Sequence, residues 1–175
     1  MKKALLIIDF QNSLVEEKPF RIETITKNIK TLLEACREKN IEVIYVQHEE
    51  EDEEFKRGSE GWKIFNEIAP IDGEKIISKR YNSAFKETVL KDYLESKGID
   101  ELIMVGMQTE YCFDTSCKVA FEYGYKIIIP EMTNTTFDNE FMSGEELYNY
   151  YNFKIFKDRF AEIDTVDNII ANLEG

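Results

Sequence analysis

The chain has 175 residues, 43% of them hydrophobic and 33% charged, which is enough to bury a sizeable core and excludes a disordered polymer. Its 22 basic and 35 acidic side chains give a net charge of −13, which repels nucleic acid and anionic membranes and argues against both as partners. No apolar run approaches the roughly 20 residues needed to span a bilayer. The 3 cysteines show no framework spacing, so reduced thiols in a cytoplasmic protein are expected.

The first ten residues, Met1-Lys-Lys-Ala-Leu-Leu-Ile-Ile-Asp-Phe, briefly mimic a secretion signal. The apolar run is too short and no small-residue cleavage site follows. Ala4–Ile8 reads instead as a first core strand. A helix is expected over Ile22–Glu38, with Ile25, Ile29, Leu32 and Leu33 on its apolar face and Cys36 as a small buried hydrophobe. Asn40 suits the turn that ends it, and Ile41–Val46 is strand two. The acidic run Glu49–Glu54 reads as a solvated loop or a fraying helix start. Gly58–Trp62 is a turn-rich connection, and Ile64–Ile68 a short helical piece before Pro70.

Lys75–Ile77 is the third strand, followed by a helix over Ala84–Ser96 that Gly98 ends. Leu102–Val105 is strand four, followed by a helix over Glu110–Tyr123 that Gly124 ends. Tyr125–Ile129 is strand five, stopped by Pro130. After a polar loop at Thr133–Asp138, Ser143 and Glu146 form a capping box that opens a helix through Tyr151. Phe153–Phe156 reads as strand six and Thr165–Leu173 as a closing helix. This alternation demands right-handed crossovers and a mostly parallel sheet covered on both faces. The expectation is one three-layer α/β/α domain over residues 1–175, with its site at the carboxyl ends of the strands.

Three residues stand at such ends: Asp9 after strand one, Lys79 after strand three and Cys112 after strand four. Alone, each has an ordinary reading. An aspartate there can cap a loop, a lysine can face solvent, and a thiol can pack in the core. Together they supply a base, a cation and a nucleophile at one rim. A thiol in the first turn of a helix faces the positive end of the macrodipole, and a close ammonium adds to that, so a thiolate is expected. Asp9 would take the thiol proton and later give it to a departing amine, with a thioester forming on Cys112. Backbone N–H groups within Met107–Cys112 are the candidate oxyanion donors.

The segments Leu5-Leu-Ile-Ile-Asp9-Phe-Gln11-Asn12, Lys79-Arg-Tyr-Asn-Ser83-Ala-Phe85 and Gly106-Met-Gln-Thr109-Glu-Tyr-Cys112, with Thr115 and Ala120 beyond, resemble the isochorismatase-like cysteine hydrolases. That resemblance implies a six-stranded parallel sheet of order 3-2-1-4-5-6. It also implies Asp9, Lys79 and Cys112 as catalytic residues, and a cis peptide at Met107–Gln108 in the oxyanion turn. It further implies a homodimer or larger homo-oligomer acting on a small-molecule amide. Members of the family resembling metal-dependent nicotinamidases carry two histidines near the end of strand two. Here His48 is the only histidine in the chain, so no metal and no cofactor are expected. Isochorismatase proper lacks the cysteine and cleaves a vinyl ether, so Cys112 points to the amidase branch.

Candidate pocket residues are Leu14, Gln11, His48 and Trp62, with Phe85, Tyr111 and Phe113. Gln11 and Thr109 are expected mainly to support Asp9 and the turn. The segment Thr135–Phe141 is expected either to close over the site or to meet a second subunit. Two other function classes compete. A catalytically silent binding or scaffold protein of the same fold would have no need of all three rim residues. A receiver-type phosphoryl acceptor needs an acidic pair at strand one, and Phe10 and Gln11 stand there instead.

Overall fold

The computed structural model describes residues 1–51 and 53–173, the side chain of residue 53 excepted; residue 52 of the acidic loop and the last two residues lie outside it. Strands β1 (Lys3–Ile8), β2 (Glu42–His48), β3 (Lys75–Lys79), β4 (Glu101–Met107), β5 (Lys126–Pro130) and β7 (Glu162–Asp164) lie in the order β3-β2-β1-β4-β5-β7. A two-residue strand, β6 (Asn134–Thr135), pairs with the end of β4 at Gly106 and Met107. Every pairing is parallel. The helices are α1 (Asn12–Glu16), α2 (Ile22–Glu38), α3 (Leu90–Ser96), α4 (Asp114–Glu122), α5 (Gly144–Tyr150) and α6 (Val166–Ala171). None of the described helices is long and apolar enough to cross a membrane.

Successive side chains of a strand point to opposite faces, and both faces of this sheet are dry. Leu6 and Ile8 of β1 join Ile44, Val46 and Met104 beneath Leu90 and Leu94 of α3 and Cys117 and Ala120 of α4. Leu5 and Ile7 join Val43, Tyr45, Ile103 and Val105 beneath Ile25, Ile29 and Leu32 of α2 and Ile169 of α6. This is why the β1 and β4 sequences are unbroken apolar runs rather than alternating ones. From β1 the chain winds outward through β2 and β3, then returns to place β4 on the other side. Side chains that follow β1 and β4 therefore face one crevice at the carboxyl rim.

The expected sheet order holds, but its last place is taken by Glu162–Asp164 rather than Phe153–Phe156. Tyr151–Phe156 instead continues α5 as a wide helical turn, in which the Lys157 N–H reaches the Asn152 carbonyl. Asn152, fully buried, explains the winding: its amide donates to the Tyr148 carbonyl at 2.8 Å and exchanges hydrogen bonds with Asn134 of β6. The helix expected from Ala84 starts only at Leu90. The Ala84 N–H is taken by the Ser116 hydroxyl and the Phe85 N–H by the Ser83 hydroxyl, which hold that stretch irregular.

At the opposite, amino edge of the sheet, Glu101 is 1% exposed and pairs with Lys3 at 2.7 Å and Lys126 at 3.4 Å. These three residues line a cavity of about 250 Å³ with Glu162 and Asp164.

Candidate active site

Asp9 leaves β1 in the left-handed backbone region, with φ 48°. An aspartate tolerates that region better than most residues. Its N–H donates to the Val46 carbonyl at 2.9 Å and its own carbonyl accepts from the Gln11 N–H at 3.0 Å, so the chain turns sharply there and aims the carboxylate into the crevice. The neighbouring strand end is just as constrained. Gly106 has φ 127°, and a Cβ on it would lie 2.0 Å from the Ile8 carbonyl oxygen. Only glycine lets β4 close onto β1 at this register, Ile8 against Gly106.

Beyond Gly106 the Met107–Gln108 peptide is cis, and residues Thr109–Phe113 form a wide helical turn that runs straight into α4. The Tyr111 and Phe113 N–H groups both end on the Gln108 carbonyl, at 3.1 and 3.2 Å. The turn is anchored from β6, where Asn134 meets the Thr109 hydroxyl at 2.9 Å. The Thr136 hydroxyl donates to Glu110 at 2.8 Å. Burial raises the Glu110 carboxyl, with the Thr136 hydrogen bond opposing.

Lys79, the last residue of β3, has a fully buried ammonium that joins these elements. It lies 2.8 Å from Asp9 Oδ2, 3.0 Å from the Tyr81 carbonyl, 3.1 Å from His48 Nδ1 and 3.2 Å from Cys112 Sγ. An ammonium is only a donor, so His48 Nδ1 accepts. The other ring nitrogen, Nε2, lies 2.9 Å from Glu50 Oε1 and carries the hydrogen. Gln11 fixes the end of β2: its carbonyl oxygen accepts from the His48 N–H at 2.9 Å, and its amide donates to the His48 and Trp62 carbonyls at 2.9 and 2.8 Å.

The expected resting thiolate is not what this environment favours. Burial pushes the Cys112 thiol up to about 12, the Asp9 carboxylate pushes the same way, and the Lys79 ammonium opposes both. The physical reason is loss of hydration, which outweighs one cation that is already paired with a carboxylate. This environment thus favours the protonated thiol over the thiolate, beside the Asp9 carboxylate.

These groups open on a cavity of about 200 Å³. Of the residues expected there, Asp9, Leu14, His48, Gln108, Tyr111 and Cys112 line it. Gln11, Trp62, Phe85 and Phe113 do not. Gln11 is buried as a brace, and Trp62 contributes its carbonyl to Gln11 and Gln47. Phe85 packs against Tyr123 and Tyr125, and Phe113 against Phe156, both inside the core. Glu50, Phe55 and Asn82 also line the cavity and were not anticipated. Asn82 sits inside the Lys79–Phe85 segment, and that position could have flagged it. Glu50 and Phe55 lie in an acidic stretch with no distinguishing spacing. Among the described residues, no group of three or more His, Cys, Asp or Glu side chains is arranged to hold a metal ion.

Against known proteins, residues 3–163 match the family model described as the isochorismatase domain. The uncharacterised isochorismatase family protein YrdC of Bacillus subtilis is 29% identical over 97% of this chain and 95% of its own length. N-carbamoylsarcosine amidase of Arthrobacter sp. is 26% identical over 99% of this chain and 72% of its own. The crystal structure of a putative isochorismatase hydrolase from Oleispira antarctica superposes with a TM-score of 0.90 at 27% identity, covering 97% of this chain and 96% of that one. With the family model spanning all but the ends and this strand order beneath it, the chain belongs to the isochorismatase family.

Proposed function

We propose that the protein is a cysteine hydrolase that cleaves the C–N bond of a small amide or carbamoyl compound through a thioester on Cys112. The observation that carries this reading is the Lys79 ammonium lying 2.8 Å from the Asp9 carboxylate and 3.2 Å from the Cys112 sulfur, behind a cavity that Asp9 and Cys112 line. The similarity to an amidase supports the bond type.

The chemistry follows from the protonation states. Because the thiol rests neutral, its proton leaves as the sulfur attacks: Asp9 accepts it while the C–S bond forms. The carbonyl oxygen takes up negative charge, and the Cys112 N–H, beside its own sulfur, is the donor suited to it. The tetrahedral centre collapses when Asp9 returns the proton to the departing nitrogen and the C–N bond breaks. Water, deprotonated by Asp9, then cleaves the thioester and restores the thiol. Lys79 holds the Asp9 carboxylate in place and offsets negative charge on sulfur in both half-reactions.

The same reading has one hydrolase unit over residues 1–175 acting in the cytoplasm as a homodimer or larger homo-oligomer. The 3 free cysteines and the exposed aromatic rings of Phe141, Tyr150 and Phe153 support this setting. The direct test is rapid acid quench of the protein with a turned-over amide, followed by peptide mass spectrometry. An acyl adduct on the Cys112 peptide, with one equivalent of amine or ammonia released as it forms, is the expected result. Product release with no adduct at any time point, and full activity in Cys112→Ala, would overturn the mechanism.

A further inference from the structure

We infer that Glu50 sets the charge preference of this cavity, so that it takes amides whose far end carries an ammonium or similar cation and rejects those whose far end carries a carboxylate. The inference rests on the reading of Cys112 as the attacking group, because it concerns what occupies the space beside that sulfur.

Glu50 and Cys112 line the same cavity. One Glu50 oxygen accepts from His48 Nε2 at 2.9 Å, and the side chain is 57% exposed, so it can also meet an entering group. The hydrogen bond holds the carboxylate in place, and the other ring nitrogen of His48 turns to the Lys79 ammonium. Among the described residues, no lysine or arginine lines the cavity. Lys79 lies behind it with a fully buried side chain and is matched by Asp9. Arg57 and Arg80 are engaged by Glu49 and Glu51. With Asp9 and Lys79 cancelling, one unmatched negative charge remains to face a substrate. Phe55 and Tyr111 line the same walls, and an aromatic face attracts cations and repels anions. A carboxylate here would meet no cationic side chain among those that line the cavity, whereas an ammonium would meet Glu50 and the two rings.

The test uses alkylation of Cys112 by 2-bromoethylammonium, iodoacetamide and iodoacetate, each rate divided by that of a neutral free thiol, with Cys112→Ala as the blank. The normalised rate for the cationic reagent should exceed that for iodoacetate by about fivefold, the upper range for a half-exposed charge pair. Added salt should shrink the ratio. Glu50→Gln should bring it close to one and Glu50→Lys should invert it. Equal rates in the unaltered protein, a preference for iodoacetate, or a preference that survives in Glu50→Gln would overturn the proposal. A parallel turnover assay compares β-alaninamide, butyramide and succinamate, near isosteres ending in ammonium, methyl and carboxylate. Fastest hydrolysis of β-alaninamide supports both readings. The labelling preference without hydrolysis of any amide would support the role of Glu50 and count against the hydrolase reading alone.

Discussion

The paired strands β1 and β4 carry, at each end of the pair, a buried carboxylate matched by lysine beside a cavity. At the start of β4, Glu101 is 1% exposed and held by Lys3 and Lys126, whose side chains keep 18% and 36% of their surface in solvent. Past the end of β1, Asp9 is 3% exposed and held by Lys79, which keeps none. The cavity at the first end is the larger, about 250 Å³ against about 200 Å³. Burial, opposite charge and room for a ligand are therefore common to both, and they do not separate a chemical site from a structural one. What differs is a third kind of group. At the Asp9 end the ammonium also touches a thiol and an imidazole, so in the proposed mechanism a proton accepted there has an atom to come from and a nucleophile left behind.

Substitutions at the two ends should part sharply. Cys112→Ala should lower kcat by at least about 10,000-fold, in line with loss of a covalent nucleophile, while the circular dichroism spectrum is unchanged. Asp9→Asn should lower kcat by about 100- to 10,000-fold, as for loss of a general base. It should have the opposite effect on labelling. The carboxylate that raises the thiol is gone while Lys79 remains, so the pKa of Cys112 falls from about 12 and the pH profile of labelling moves to lower pH. A pH profile of labelling that did not move toward lower pH would break this account of the pair. Gly106→Ala, which forces a methyl against the Ile8 backbone, should cost about 3 kcal/mol in urea unfolding and carry activity down with it. At the quiet end, Glu101→Gln should cost only about 1 kcal/mol, because Lys3 and Lys126 can return to water, and kcat should stay as it was. A catalytic defect in Glu101→Gln would erase the distinction between the two ends.

Most of this architecture is readable from the chain because its strands are buried on both faces. Lys-Ala-Leu-Leu-Ile-Ile and Glu-Leu-Ile-Met-Val-Gly-Met stand out as apolar runs of strand length, and the rim residues that follow them are adjacent in the fold as expected. The edge is different. Glu162–Asp164 is a strand of only three residues, two of them acidic, and nothing in its composition marks it. Phe153-Lys-Ile-Phe156 alternates like a strand, yet Asn152, buried by contacts with Asn134 and Tyr148, winds it as helix. That decision is made by residues distant in sequence, which no local pattern reports. The cavity walls split in the same way. Leu14 and Tyr111 lie beside motif residues and were anticipated, whereas Phe85 and Phe113 were drawn into the core by aromatic partners. Glu50 was hidden among identical neighbours, and only a fold that brings His48 to it sets it apart. The state of the thiol was misjudged for a related reason: proximity to a cation can be guessed from motifs, but dehydration is a property of the finished packing.

The four contacts of Lys79 carry a consequence in simple counting. Asp9, the Tyr81 carbonyl, His48 and Cys112 all lie within 3.2 Å of a nitrogen that owns only three hydrogens. One neighbour is always left out. In the resting protein the natural absentee is sulfur, which keeps its own hydrogen. Once that hydrogen departs, sulfur competes for a share, and the imidazole or the carbonyl must give one up.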